Sequence, residues 1–221
     1  MGKTVIVANW KSNMGLAEAD TWLRKFHDAS GKVAFSEKEV IICPPFTVMA
    51  FLAEWIKKSG LPISLGAQNL SPFPKGAYTG EVSAEQVSEI ASYVLIGHSE
   101  RRKYFHEDDQ MLQNKVDMAL ASGLQSIFCV QGVEDSIPKG VVLVAYEPVF
   151  AIGTGEPDSP ENAGSTARSI KETFGVHTVL YGGSVTAANV HSFTSTEDIH
   201  GVLVGSASLD PEVFSSIVAN A

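Results

Sequence analysis

Short runs rich in Val, Ile and Leu recur along the chain, separated by longer polar stretches. Eight can be marked, at 4–9, 40–44, 63–67, 93–97, 125–130, 141–147, 178–182 and 201–205. A strand with one wet face alternates apolar and polar residues, whereas near-continuous apolar runs suit a parallel sheet covered on both faces. The stretches between them carry helix signals. Ser83 and Gln86 have capping-box spacing, Ser159 then Pro160 reads as an N-cap followed by a first-turn proline, and Asp210 then Pro211 repeats that device. Eight strand–helix units predict a (β/α)8 barrel spanning residues 1–221 as one domain. A doubly wound sheet fits less well, because Asn9-Trp10-Lys11 follows the first strand where a G-x-G-x-x-G would be needed. No linker, low-complexity segment or sequence repeat interrupts the series.

One crossover breaks the rhythm. Between the fifth and sixth runs lie only residues 131–140, with Gly132, Pro138 and Gly140 among them. Returning over a six-residue strand means covering roughly 20 Å. Ten residues rise only ~15 Å as helix but reach ~33 Å when extended. The helix between strands five and six is therefore expected to be missing or reduced to a turn, leaving seven complete outer helices. Side chains alternate along a strand, so with Cys129 and Glu147 pointing inward, Phe128, Val130, Val142, Val144 and Tyr146 point outward. Without a helix over them they are expected to be partly exposed, with Val133 and Ile137 of the crossover and the neighbouring helices as their cover.

Composition narrows the partners. With 44% hydrophobic and 19% charged residues, 221 residues are enough for one large core. The net charge of −9 has no basic run to offset it, which argues against nucleic acid and anionic membrane. A small anionic substrate would need a local positive site. No apolar run approaches the ~20 residues of a membrane span, and the first residues lack both a secretory cleavage pattern and a myristoylation motif. Cys43 and Cys129 sit in apolar runs and read as free thiols in a reducing compartment. A cytoplasmic protein is expected.

A barrel places its chemistry where strands end. The sixth run ends in Glu147, followed by Pro148 and the glycine-punctuated segment Val149, Phe150, Ala151, Ile152, Gly153, Thr154, Gly155. That is how a base followed by a lid would be written. Strand one ends in Asn9 and Lys11, strand four in His98-Ser99-Glu100-Arg101-Arg102, strand seven in Gly182-Gly183-Ser184, and strand eight in Gly205-Ser206. All face one mouth. Together they offer a carboxylate, an imidazole, a fixed cation, an amide, and two turns whose backbone N–H groups suit a phosphate. The other histidines, His27, His106, His177, His191 and His200, are assigned to surface or core. No Cys/His spacing suggests a metal, and no cofactor motif appears.

Six segments, in order, carry a resemblance: N-W-K at 9–11, G-A-Y-T-G-E-V-S at 76–83, G-H-S-E-R-R at 97–102, A-Y-E-P-V-F-A-I-G-T-G at 145–155, Y-G-G-S-V at 181–185 and G-V-L-V-G-S-A-S-L at 201–209. The chain resembles the triosephosphate isomerase family, whose fold is the TIM barrel. The resemblance implies interconversion of dihydroxyacetone phosphate and D-glyceraldehyde 3-phosphate through an enediolate, without a cofactor. It implies Glu147 as the base and His98 as a neutral electrophile kept uncharged by a helix N-terminus, for which this family is the known case. Asn9 would donate to the same oxygen, Lys11 would supply positive charge, and Glu100 would orient neighbouring groups. The phosphate would rest on amides near Gly153, Ser184, Gly205 and Ser206. Residues 148–155 would form a lid latched by Tyr181 and Ser184, with Gly155 and Asp158 as donors. Loop 76–81 would insert into a second subunit, making a homodimer.

Four departures from the family pattern stand out. Phe150 stands where Trp is common, Gly132 where Glu is common, and Ser206 replaces the second glycine of the strand-eight turn. Glu156-Pro157-Asp158 replaces the usual Lys-Thr-Ala at the trailing end of the lid. These departures and the short crossover leave two alternatives: a phosphosugar-binding barrel with little or no turnover, and another phosphosugar isomerase with the same phosphate turns.

Overall fold

The computed structural model describes residues 2–148 and 156–221. Eight parallel strands close on themselves in chain order: β1 (Thr4–Asn9), β2 (Lys38–Cys43), β3 (Ser64–Ala67), β4 (Tyr93–Ile96), β5 (Gln125–Val130), β6 (Leu143–Tyr146), β7 (Thr178–Tyr181) and β8 (Gly201–Val204). Outside lie α1 (Leu16–Ala29), α2 (Phe46–Ser59), α3 (Ala84–Ser88), α4 (Ser99–Phe105), α5 (Asp109–Ala121), α6 (Pro160–Phe174), α7 (Val190–Thr194) and α8 (Pro211–Asn220). Closure pairs Val5 of β1 with Gly201 of β8. Gly201 is needed there: a Cβ would lie 1.8 Å from Val5 O, and its φ is 155°. The expected caps form. Ser83 and Gln86 exchange capping-box bonds, and Ser159 and Asp210 accept first-turn amides ahead of Pro160 and Pro211.

The alternation along the strands sorts two cores. Inward side chains, among them Val7, Ile41, Cys43, Leu95, Ile127, Cys129, Leu143, Ala145, Leu180 and Leu203, fill the barrel. Outward ones, including Phe128, Val130, Val144 and Tyr146, join the larger layer between sheet and helices. Among the described residues no helix is long and apolar enough to cross a membrane.

Residues 131–142 hold turns and bends and no helix, as the crossover length required. The expectation of seven complete helices needs correction, because α3 and α7 have only five residues each. So does the expectation of wet side chains. Phe128, Val130, Val144 and Tyr146 are all buried, and of the outward set only Val142 is exposed, at 44%. Part of the cover comes from α4, one of the neighbouring helices expected to supply it. Arg102 sets its guanidinium over the Phe128 ring at 5.6 Å and donates to Gly97 O and Cys129 O, so one long side chain lies across β5. Ile137 packs against the outer layer as expected, but Val133 turns to solvent. At Gly140 the crossover lies against Leu120 of α5, with no room for a Cβ.

Candidate active site

The end of β1 is shaped by an unusual backbone. Lys11 has φ 52°, a conformation non-glycine residues seldom adopt, so the surroundings must impose it. They do. Its amide donates to Asn9 Oδ1 at 3.0 Å, and Gln68 Nε2 donates to Lys11 O at 2.8 Å and to Cys43 O at 2.9 Å. The held side chain meets Glu100, with Nζ 2.5 Å from Oε1. Gln68 escaped the sequence reading because the end of strand three was not among the strand ends read together. It is the first residue past β3.

At the ends of β4 and β6 a carboxylate and an imidazole face each other. Glu147 is 2% exposed and His98 6%. His98 Nε2 lies 3.0 Å from Glu147 Oε1, while Ser99 N–H donates to Glu147 Oε2 at 3.0 Å. The fit is tight from behind: a Cβ on Gly182 would come within 3.0 Å of Glu147 Cγ. Burial pulls the His98 pKa down, but the Glu147 carboxylate, helped by Glu100, holds it above the usual imidazole value. Burial likewise works to raise Glu147, yet His98 and the Ser99 amide keep it below the usual carboxylate range. His98 Nδ1 accepts Glu100 N–H at 3.2 Å, from the first turn of α4, so the ring carries its proton at Nε2. Cys129, beneath them, is pushed well up by burial and by Glu147, and stays a thiol.

A cavity of about 310 Å³ unites the set. Asn9, Lys11, His98 and Glu147 line one side, and Ser184, Gly205 and Ser206 line the other. Glu100 faces an adjoining cavity with Ser12, Gln68 and Phe105. Ser206 opens a 3-10 turn, Ser206–Leu209, and is not among the residues with positive φ, so a serine fits where glycine was expected. After β7 the turn runs on to α7, which begins at Val190. Of the lid, Pro148 lies among the described residues. Val149, Phe150, Ala151, Ile152, Gly153, Thr154 and Gly155 lie outside them, and with them the phosphate contact expected of Gly153. One latch contact is present: Asp158 N–H donates to Tyr181 Oη at 2.8 Å. Ser184 lines the cavity, but Gly155, its expected donor, is outside the described residues.

The same arrangement is matched by known sequences. The triosephosphate isomerase family model matches residues 4–142 and 135–221, two pieces that meet in the helix-less crossover. The triosephosphate isomerase of Dictyoglomus thermophilum is 37% identical over 251 positions covering 99% of each chain. That of Synechocystis is 39% identical, covering 99% of this chain and 98% of its own, and that of Aquifex aeolicus is 36% identical over 98% of both. These alignments are longer than the 221-residue chain, so the relatives hold residues that it lacks. With the family matched end to end and the strand-end constellation assembled in one cavity, the chain belongs to the triosephosphate isomerase family and is an isomerase of dihydroxyacetone phosphate and D-glyceraldehyde 3-phosphate.

Proposed function

We propose that Glu147 is the base of this isomerisation and His98 its electrophile. Glu147 takes a proton from the carbon beside the substrate carbonyl. The electron pair of that C–H bond forms the C=C of an enediolate, whose negative oxygen faces His98 Nε2–H, and the proton returns to the neighbouring carbon. Asn9 donates to that oxygen, Lys11 offsets the developing charge, and Glu100 holds Lys11 and the His98 ring in place. Backbone amides at Ser184, Gly205 and Ser206 receive the phosphate, with Gly153 above them in the lid. Pairing between Glu147 and His98 supports this reading most strongly: carboxylate and imidazole stand 3.0 Å apart in a cavity that Lys11 also lines.

The pairing sets a condition on binding. A substrate oxygen can reach His98 Nε2 only by displacing Glu147 Oε1. Displacement removes the carboxylate that raises the imidazole pKa and leaves the Glu100 amide at Nδ1, which favours the neutral ring. The occupied site therefore favours the same neutral ring, protonated at Nε2. Shortening the base in Glu147→Asp withdraws the carboxylate by a methylene and should lower kcat by at least about 100-fold, with KM changed far less. A coupled assay with an unchanged kcat would remove Glu147 from the role.

The chain acts as a homodimer in the cytoplasm, as one domain. Exposed aromatic residues support the assembly: Phe73 and Tyr78 stack at 4.6 Å on the loop after β3, and Tyr104 and Phe105 stand out from α4. Phe105 lines the cavity that Lys11 and Glu100 share, and a second copy would cover these aromatic side chains. Sedimentation finding a fully active monomer at assay concentration would exclude it.

A further inference from the structure

The pairing of β4 with β5 stops at Ile96 and Phe128. Past that point Gly97 turns the chain with φ 75° and leads straight into His98. Val130 O faces β6, where it accepts Glu147 N–H at 2.7 Å, so Cys129 O, one residue earlier, faces β4. There the strand has ended. Gly97 and Cys129 are both buried, and a buried carbonyl without a partner is costly.

Arg102 meets both carbonyls. Its Nε donates to Gly97 O at 2.8 Å and its Nη2 to Cys129 O at 3.2 Å. The same guanidinium lies over the Phe128 ring at 5.6 Å, and Nη1 stands 3.7 Å from an Asp109 carboxylate oxygen. The fit leaves no slack, since a Cβ on Gly97 would come within 3.2 Å of Nη2 and 3.4 Å of Cys129 O. A planar guanidinium presents its donors in fixed directions, which suits two carbonyls on two different strands.

We propose that Arg102 is a positioning residue of the isomerisation: its guanidinium ties the end of β4 to the end of β5 and so sets the His98 imidazole against the Glu147 carboxylate. The path is short. On one side Arg102 holds the carbonyl of the residue before His98; on the other it holds Cys129 O, next to the Val130 carbonyl that fixes the Glu147 amide. His98 and Glu147 come from the strands on either side of β5 and meet at 3.0 Å, so any slip of β4 against β5 changes their separation. Errors well under an ångström between reacting groups lower the rate.

The inference rests on Glu147 and His98 as the reacting pair, and the two fail differently. An unchanged kcat in Glu147→Asp removes the pair, whereas a slow Glu147→Asp beside a parental kcat in Arg102→Met removes only the tie. Arg102→Met keeps an apolar stem and loses both donors, so kcat should fall about tenfold with KM within about twofold. Arg102→Lys, which can reach one carbonyl, should recover part of that loss. Phe128→Leu separates positioning from packing: it removes the ring beneath the guanidinium and leaves both hydrogen bonds, so urea melts should show lower stability while kcat stays within twofold of the parent. If Arg102→Met does not fold, Arg102→Lys decides by the same readouts. A parental kcat in the deciding variant, a loss confined to KM, or an equal fall of kcat in Phe128→Leu would overturn the proposal.

Discussion

Gly182→Ala tests how closely the base is fitted. A Cβ at 182 would lie 3.0 Å from Glu147 Cγ and 3.1 Å from Tyr146 O. Ordinary carbon contacts need about 3.5–4.0 Å, so the gap to Glu147 Cγ must open by a few tenths of an ångström, up to about half. The backbone has little to give, because Gly182 N–H donates to Tyr146 O at 2.7 Å and β6 is paired on both sides. Most of the displacement therefore falls on the Glu147 side chain. With a 1 Å misplacement worth about 100-fold, half of that should lower kcat about tenfold, or about 1.4 kcal/mol of transition-state stabilisation. Overpacking should also lower stability by about 1–3 kcal/mol. The assay is steady-state isomerisation coupled to a dehydrogenase, with urea unfolding on the same variant. A stability loss with kcat within twofold of the parent would mean that the base does not feel residue 182. A change confined to KM would place the clash at the phosphate turn.

Two further outcomes follow from the same geometry. Glu147 has a lowered pKa in the folded chain, so its contribution to stability is present above its ordinary value of 4.5 and fades as pH falls through the folded value. His98 has a raised pKa, so its contribution is present below 6.5 and fades as pH rises through the folded value. Stability from the pair should peak between those limits, and Glu147→Gln should flatten the urea-unfolding curve across them; an unaltered pH profile would contradict the pairing. Over the crossover, Ile137→Ala should cost about 1–2 kcal/mol, while Val142→Thr, at an exposed position, should stay within about 0.5 kcal/mol. Equal effects in denaturant melts would mean that Ile137 is not what covers β5 and β6.

All eight strands were legible because near-continuous apolar runs have few readings other than a buried parallel strand. Several bounds moved by one or two residues, and at the start of β6 the reason is local. The sixth run begins at Val141 in sequence, but β6 starts at Leu143, because Gly140 at φ 94° turns the chain and leaves Val142 in solvent. Candidate residues at strand ends could be read because the fold says where such ends meet, and Glu147 and His98, which face each other in the structure, were read that way. Gln68 and Arg102 were not. Each acts by reaching a backbone atom or side chain set by tertiary packing, as when Gln68 bonds Lys11 across 57 positions. The exposure expected over β5 failed similarly, since nothing in Arg102 as a letter says that its guanidinium will lie on Phe128.

The helix-less crossover also bears on the order of folding. Paired residues Phe128 and Val144 are 16 apart in the chain, whereas Ile6 and Val40 in the first pair are 34 apart. Loop-closure entropy grows with the logarithm of length, so β5–β6 closes with an advantage of roughly 0.7 kcal/mol over β1–β2. Parallel pairing is slow because distant segments must meet before any contact stabilises them. Here one pair is spared much of that delay, so β5–β6 becomes the natural seed of the barrel. Conservative truncation at Val144 should therefore slow refolding, and the same change at Val40 should mainly speed unfolding. The short connection that removed part of the wall has made this place the easiest at which to begin building it.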